Sequence, residues 1–177
     1  MFKPLVDMYS TQTAHALLDD GLTVKVGDVI IPLSTAGSTN IVTNDTDAVT
    51  GDKYVLGVVV GFCKENGEVI GIGINPANTP AQLTTADDNT ENAKYHAVYI
   101  PITAEMEFEG ELDAAAGTTT GSDKSYVYFN LVDAGKIDES SVVSHDDKTA
   151  PLQVLSLGLI PGSTTKIRCR FAKRLYR

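Results

Sequence analysis

Few residues of this chain are of a type that does chemistry, and their spacing keeps them apart. His15, His96 and His145 are its three histidines. None forms an H-x-x-x-H pair or has a cysteine close by, so no zinc motif is read. His145-Asp146-Asp147 sets a base beside two carboxylates, but adjacent residues of a strand or loop point apart, and a surface loop is the reading. Cys63 and Cys169 make no C-x-x-C pair and read as small core residues or free thiols. Gly71-Ile72-Gly73 lacks the third glycine and the following helix of a dinucleotide fingerprint. Asp45-Thr46-Asp47 lacks the glycine and distal glutamate of a calcium loop. The expectation is a protein that is not an enzyme and holds no metal and no cofactor.

Two segments carry a pattern of another kind. In Glu105-Met106-Glu107-Phe108-Glu109-Gly110-Glu111-Leu112, an extended chain puts four carboxylates on one face and Met106, Phe108 and Leu112 on the other. In Lys166-Ile167-Arg168-Cys169-Arg170-Phe171, three bases share one face and three apolar side chains the other. Like charges in a row repel, and a basic row beside the acidic one would relieve that cost. Two readings stay open: the rows meet, within one chain or between copies, or each is the solvated face of an edge strand, where charge discourages aggregation. Lys173, Arg174 and Arg177 extend the basic run into a tail mixed with aromatics, read as an arm for an acidic partner or as a frayed terminus. The candidate interface residues are therefore Glu105, Glu107, Glu109, Glu111, Lys166, Arg168, Arg170, Lys173, Arg174 and Arg177.

Net charge is −9, but the last twelve residues hold six of the fourteen bases and no acid. Residues 1–165 thus set eight bases against 23 acids, a balance of 8 − 23 = −15. Such a body repels phosphate, so nucleic acid is not the expected partner. MFKPLVDMYS shows no apolar signal region and no run approaches bilayer length, so a membrane is not expected either and folding in a cytoplasm is.

The elements that must position these residues are mostly short strands. Turn-forming Gly, Thr, Asn and Asp separate apolar runs, tryptophan is absent, and 177 residues suffice for a real core. The expected fold is mainly β, an antiparallel β-barrel or β-sandwich with a short N-terminal helix. That helix is capped by Ser10 or Thr11, runs through Ala14, Ala16, Leu17 and Leu18, and ends at Asp19-Asp20-Gly21. Residues 1–21 are read as an arm with this helix and 22–177 as the β domain. Strands follow at 22–26 and 29–33. Tyr54 to Cys63 and Val69 to Ile74 form a hairpin around Asn66-Gly67, read as a type I′ turn. Residues 75–92 read as loop or insertion, 95–112 as one long extended stretch, and 138–149 as polar loop. Strands at 125–132, 152–160 and 165–171 complete the chain. A weak internal echo relates 22–75 to 120–171: Val29 to Gly37 parallels Val127 to Gly135, and Val55-Leu56-Gly57 parallels Val154-Leu155-Ser156.

Leu22-Thr23-Val24-Lys25-Val26-Gly27-Asp28-Val29 after a short N-terminal lead, the small Gly/Thr/Ser-rich strands, and Leu152 to Gly158 before a basic exit resemble the capsid decoration (cement, or head-stabilisation) proteins of tailed bacteriophages. The resemblance covers about two thirds of the chain and is one of texture. It implies a virion structural protein on the capsid exterior, assembled in the host cytoplasm. It further implies a homo-oligomer, a trimer above all, seated on the major capsid protein and stabilising the head. The alternative is a carbohydrate- or receptor-binding β module of a virion or cell surface, which predicts exposed aromatic side chains.

Overall fold

The computed structural model describes residues 1–5, 12–33, 41–45, 55–72, 81–103, 106–115, 126–133, 135–143 and 153–171. These are mainly β. In chain order the strands are β1 Lys3–Pro4, β2 Ala14–Leu18, β3 Thr23–Lys25, β4 Val29–Pro32, β5 Ile41–Thr43, β6 Gly57–Lys64, β7 Val69–Ile72 and β8 Gln82–Thr84. After a single π-helical turn, Asn89–Ala93, come β9 Tyr95–Pro101, β10 Phe108–Glu111, β11 Tyr128–Asp133, β12 Lys136–Val143, β13 Gln153–Leu159 and β14 Lys166–Phe171. Among the described residues no helix is long and apolar enough to cross a membrane.

The strands group into two compact units. One is the continuous stretch Thr11–Pro101; the other joins Met1–Ser10 to Ile102–Arg177. The boundaries therefore fall at residues 10 and 101, whereas the sequence suggested one at 21, and the extended stretch 95–112 supplies one strand to each unit.

The Thr11–Pro101 unit is a five-stranded barrel, β2-β9-β6-β4-β5, closed by a parallel pairing of β5 with β2; β7 extends it from β6, and β3 pairs with β8. Residues 14–18 are a strand of this barrel and the expected helix is absent. Ala14, Ala16 and Leu18 pack on the core while His15 is exposed, a period of two that β9 converts into ladder bonds. Intrinsic helix preference is a weak term beside that pairing. Inside lie Leu18, Val24, Val26, Ile30, Val42, Val59, Phe62, Ala97 and Tyr99. The β6–β7 hairpin forms as expected, but with a different turn. Gly67 N donates to Lys64 O (2.9 Å) and Lys64 N to Glu68 O (2.9 Å). Only Gly67 has positive φ, at 83°, whereas a type I′ turn requires it at both central residues. A turn centred on Glu65-Asn66, followed by a left-handed glycine, absorbs the extra residue as a bulge.

In the other unit the sheet order is β1-β10-β14-β13-β11-β12. Strand β12 takes in residues 138–143, read from sequence as the start of a polar loop. Leu112 bridges Ile137 in parallel, which brings the two sides of the sheet together. The cyclic order β10-β14-β13-β11-β12 thus reproduces β2-β9-β6-β4-β5, strand for strand in chain order. The agreement reaches single residues. Asp19 N donates to Val42 O and Asp113 N to Ile137 O, both at 2.9 Å, so Leu18 corresponds to Leu112 and Val42 to Ile137, all four buried. Each unit also has one extra residue at the same place. In β6 it falls between the pairs Val59↔Tyr99 and Phe62↔Ala97, and in β13 between Ser156↔Cys169 and Leu159↔Ile167. Of the echo, Val29–Pro32 is β4 against Tyr128–Asp133 of β11, and Gly57 opens β6 against Val154–Ser156 of β13; residues 34–37 and 134 lie outside the described residues. The registers differ: the ladders align Val29 with Tyr128 and Gly57 with Val154, one and two residues away from the echo.

At two glycines a side chain would meet atoms already in place. A Cβ on Gly110 would lie 2.7 Å from Ile137 Cδ1 and 2.9 Å from Cys169 Sγ. One on Gly57 would collide with the Tyr99 ring and lie 2.6 Å from Ile100 O.

Candidate functional site

The two charged rows meet within the chain. β10 and β14 pair antiparallel with Phe108 opposite Cys169, Glu109 opposite Arg168 and Glu111 opposite Lys166. Inward, Phe108, Ile167, Cys169 and Phe171 are buried, and Phe171 lies between Phe108 and Phe2 at ring-centroid distances of 5.1 and 4.8 Å. Outward, the ion pairs lean to one diagonal. Lys166 Nζ reaches Glu109 Oε1 at 2.7 Å and Arg168 Nε reaches Glu107 Oε2 at 2.8 Å, while Arg170 donates to Glu107 Oε1 at 2.8 Å. Strand twist brings one diagonal of each cross-strand quartet closer than the other, and long side chains follow it. Glu111 accepts from the Met1 ammonium at 3.2 Å. Glu105, Lys173, Arg174 and Arg177 lie outside the described residues.

Among the described residues each carboxylate of the row thus meets a cation, and Glu107 meets two. The Arg170 guanidinium first, and Arg168 second, hold the Glu107 carboxyl below its usual range. Glu109 raises Lys166 above an ordinary lysine. Both cysteines are free and buried, and burial pushes both thiols up. Charge alternation in the sequence was the signal for this ladder, and the partnership within the chain is what pairing added.

A second cross-strand pair went unrecognised in the sequence. His15 of β2 and His96 of β9 place their Nδ1 atoms 3.4 Å apart, with ring centroids 5.4 Å apart and planes tilted by 54°. His15 is exposed and His96 half-buried. Burial first, and His15 second, hold the His96 imidazole below the usual histidine value, against an opposing pull from Glu65. A helix at 14–18 would have hidden this pair, because it assigns His15 no strand partner. The third histidine, His145, lies outside the described residues.

Buried polar groups secure the turn that leads into β9. Asn89 is fully buried, donates from Nδ2 to Leu18 O (2.7 Å) and Tyr95 O (3.2 Å), and accepts from Tyr95 N at Oδ1 (2.9 Å). Thr85 Oγ1 accepts from Leu22 N (2.8 Å) and donates to Asp19 O (2.9 Å). These bonds turn part of the expected 75–92 loop into fixed structure.

The outer parts of both units carry exposed apolar side chains. β7 ends its sheet and exposes Val69 by 55% and Ile70 by 43%; β12, beyond its bridge to Leu112, exposes Val142 by 49%. Tyr126, just before β11, has φ of 67° and is 77% exposed. No protein-family model matches the chain, and neither the curated proteins nor the solved structures hold a match to it.

Proposed function

We propose that this chain is a structural protein of a virion, a capsid decoration protein that binds the major capsid protein as a homo-oligomer, a trimer above all, and stabilises the head. The observation that carries the reading is the sheet-ending strand β7, which holds Val69 and Ile70 out to solvent. Sheet edges are normally blunted by charge, proline or cover, because an open apolar edge invites another chain. A protein that lives on an assembled surface has that cover supplied by its neighbours, and strand addition at an edge is a common way to supply it. The charge ladder suits the same role: it locks the outer face of β10 and β14 within the chain and leaves the β7 edge as the sticky part.

The test is cosedimentation of the purified chain with capsids of the virus that encodes it, alongside light scattering of the free protein. Saturable binding that raises the capsid melting temperature, and that Val69→Asp with Ile70→Asp abolishes, supports the reading. A chain that ignores capsids overturns it. The second reading, a carbohydrate- or receptor-binding module, has Tyr126 in its favour, an aromatic ring held out to solvent at a backbone angle that is costly for a bulky residue. Glycan binding lost in Tyr126→Ala would select it.

A further inference from the structure

We propose that His15 and His96 form a binding site for a divalent transition-metal ion, zinc above all, on the outer side of the Thr11–Pro101 barrel. A tetrahedral metal with bonds of about 2.0–2.1 Å to imidazole nitrogen holds its ligand atoms roughly 3.3–3.4 Å apart. The two Nδ1 atoms already stand at 3.4 Å. In the absence of a metal, a long N–H···N contact at that separation satisfies the pair only when one ring presents its proton to the other. A metal takes both lone pairs at once.

The fold imposes this approach. By the register correspondence, His15 occupies the position of Glu109, and His96 that of Lys166. The Glu109–Lys166 pair closes to 2.7 Å along the same diagonal. Opposite charges explain the contact in one unit. Two imidazoles have no such attraction, so in the other unit the backbone itself brings the tips together. A site held open by β2 and β9 loses little conformational freedom on binding an ion, the usual virtue of ligands carried on rigid strands. The charged groups nearby are Glu65 and Lys94, paired with each other at 3.2 Å, so the ammonium is already balanced. Among the described residues no third His, Cys, Asp or Glu completes a cluster. Water, or a donor from a neighbouring protein, would fill the remaining positions, and affinity falls well short of a four-ligand structural site.

The experiment uses the full untagged chain, stripped with a chelator, and titrates it with zinc chloride by calorimetry. Histidine tautomers are followed in parallel by nitrogen-15 NMR. The expected result is one zinc per chain, both His15 and His96 converted to Nε2–H tautomers, and a loss of about tenfold or more in affinity for His15→Gln and for His96→Gln. Since His15 is exposed, His15→Gln keeps the melting temperature of the parent and separates loss of a ligand from loss of the fold. Zinc uptake indifferent to both substitutions, or no uptake with an Nδ1 proton shared between the rings, overturns the proposal.

Discussion

Glu107 shows how a side chain read as one of a repelling row becomes a stabilising acceptor. Its pKa is depressed in the folded chain, so its contribution is present above the unfolded carboxylate value and is lost as pH falls through the folded one. Glu107→Gln is expected to melt lower than the parent at pH 7, with the difference disappearing on acidification below about pH 4. Arg168 is 55% exposed and Arg170 36%, so screening keeps each coupling small. A double-mutant cycle of Glu107→Ala with Arg170→Ala should give about 0.2–1 kcal/mol, shrinking in high salt. Absence of coupling would mean that the ladder is a solvated face after all. Gly110 makes the opposite case, in which an absent side chain is the feature. Gly110→Ala is expected to cost about 1–3 kcal/mol in denaturant unfolding, since Ile137 and Cys169 stand where the methyl group would go. Gly57→Ala should cost more than Gly110→Ala, because one of the atoms in its way is the carbonyl oxygen of Ile100, which cannot rotate aside.

β2 and β9 depend on a polar residue that belongs to neither. Asn89 ties Leu18, at the end of β2, to Tyr95, at the start of β9, through three hydrogen bonds. Asn89→Ala leaves buried main-chain groups without partners, at a cost of about 1–3 kcal/mol for each such group. Urea unfolding should register a large loss, whereas Asn92→Ala, at an exposed position of the same turn, should register little. β14 gives the matching expectation for reactivity. Cys169 is fully buried in it and its thiol is pushed up by that burial. Thiol reagents should therefore label Cys169 only on unfolding. Rapid labelling of the native protein would place β14 outside the core.

Each unit has its own apolar core and its own cyclic strand order, and the two differ in how the chain supplies them. The Thr11–Pro101 unit is one continuous stretch, while the other needs β1 from residues before it to line β10. Phe2, buried against Phe171, anchors that contribution. Phe2→Ala is expected to cost about 3–5 kcal/mol and to lower amide protection first in β10 and β14. Asn89→Ala should lower it first in β2 and β9. Hydrogen exchange checks both, and uniform loss across all strands in either variant would mean that the units open together. The same winding dressed with different side chains also places an ion pair at Glu109 and Lys166 and two imidazoles at His15 and His96. One framework thus holds two chemistries at equivalent positions.

The mainly-β class, the β6–β7 hairpin, the inward and outward faces of 105–112 and 166–171, and the core roles of Cys63 and Cys169 follow from local pattern, because alternation and turn chemistry act over a few residues. Pairing decided the rest. Residues 14–18 have enough alanine and leucine for a helix, and pairing with β9, some eighty residues later, and with β5 makes them a strand. Nothing near 101 announces that one extended stretch serves two barrels, since that division depends on which distant strands take each half. The 136–143 segment looks polar because only Ile137 among its described side chains is deeply buried; hydrogen bonds to β11 hold it. The echo's register differs from that of the ladders, and its 22–75 half leaves out β2 and β9, for a ladder sets register across space, while sequence similarity slides along the chain. Residue types and their alternation declared which faces carry charge and which carry the core. Long-range hydrogen bonding alone determined which charges meet, and that the two histidines meet at all.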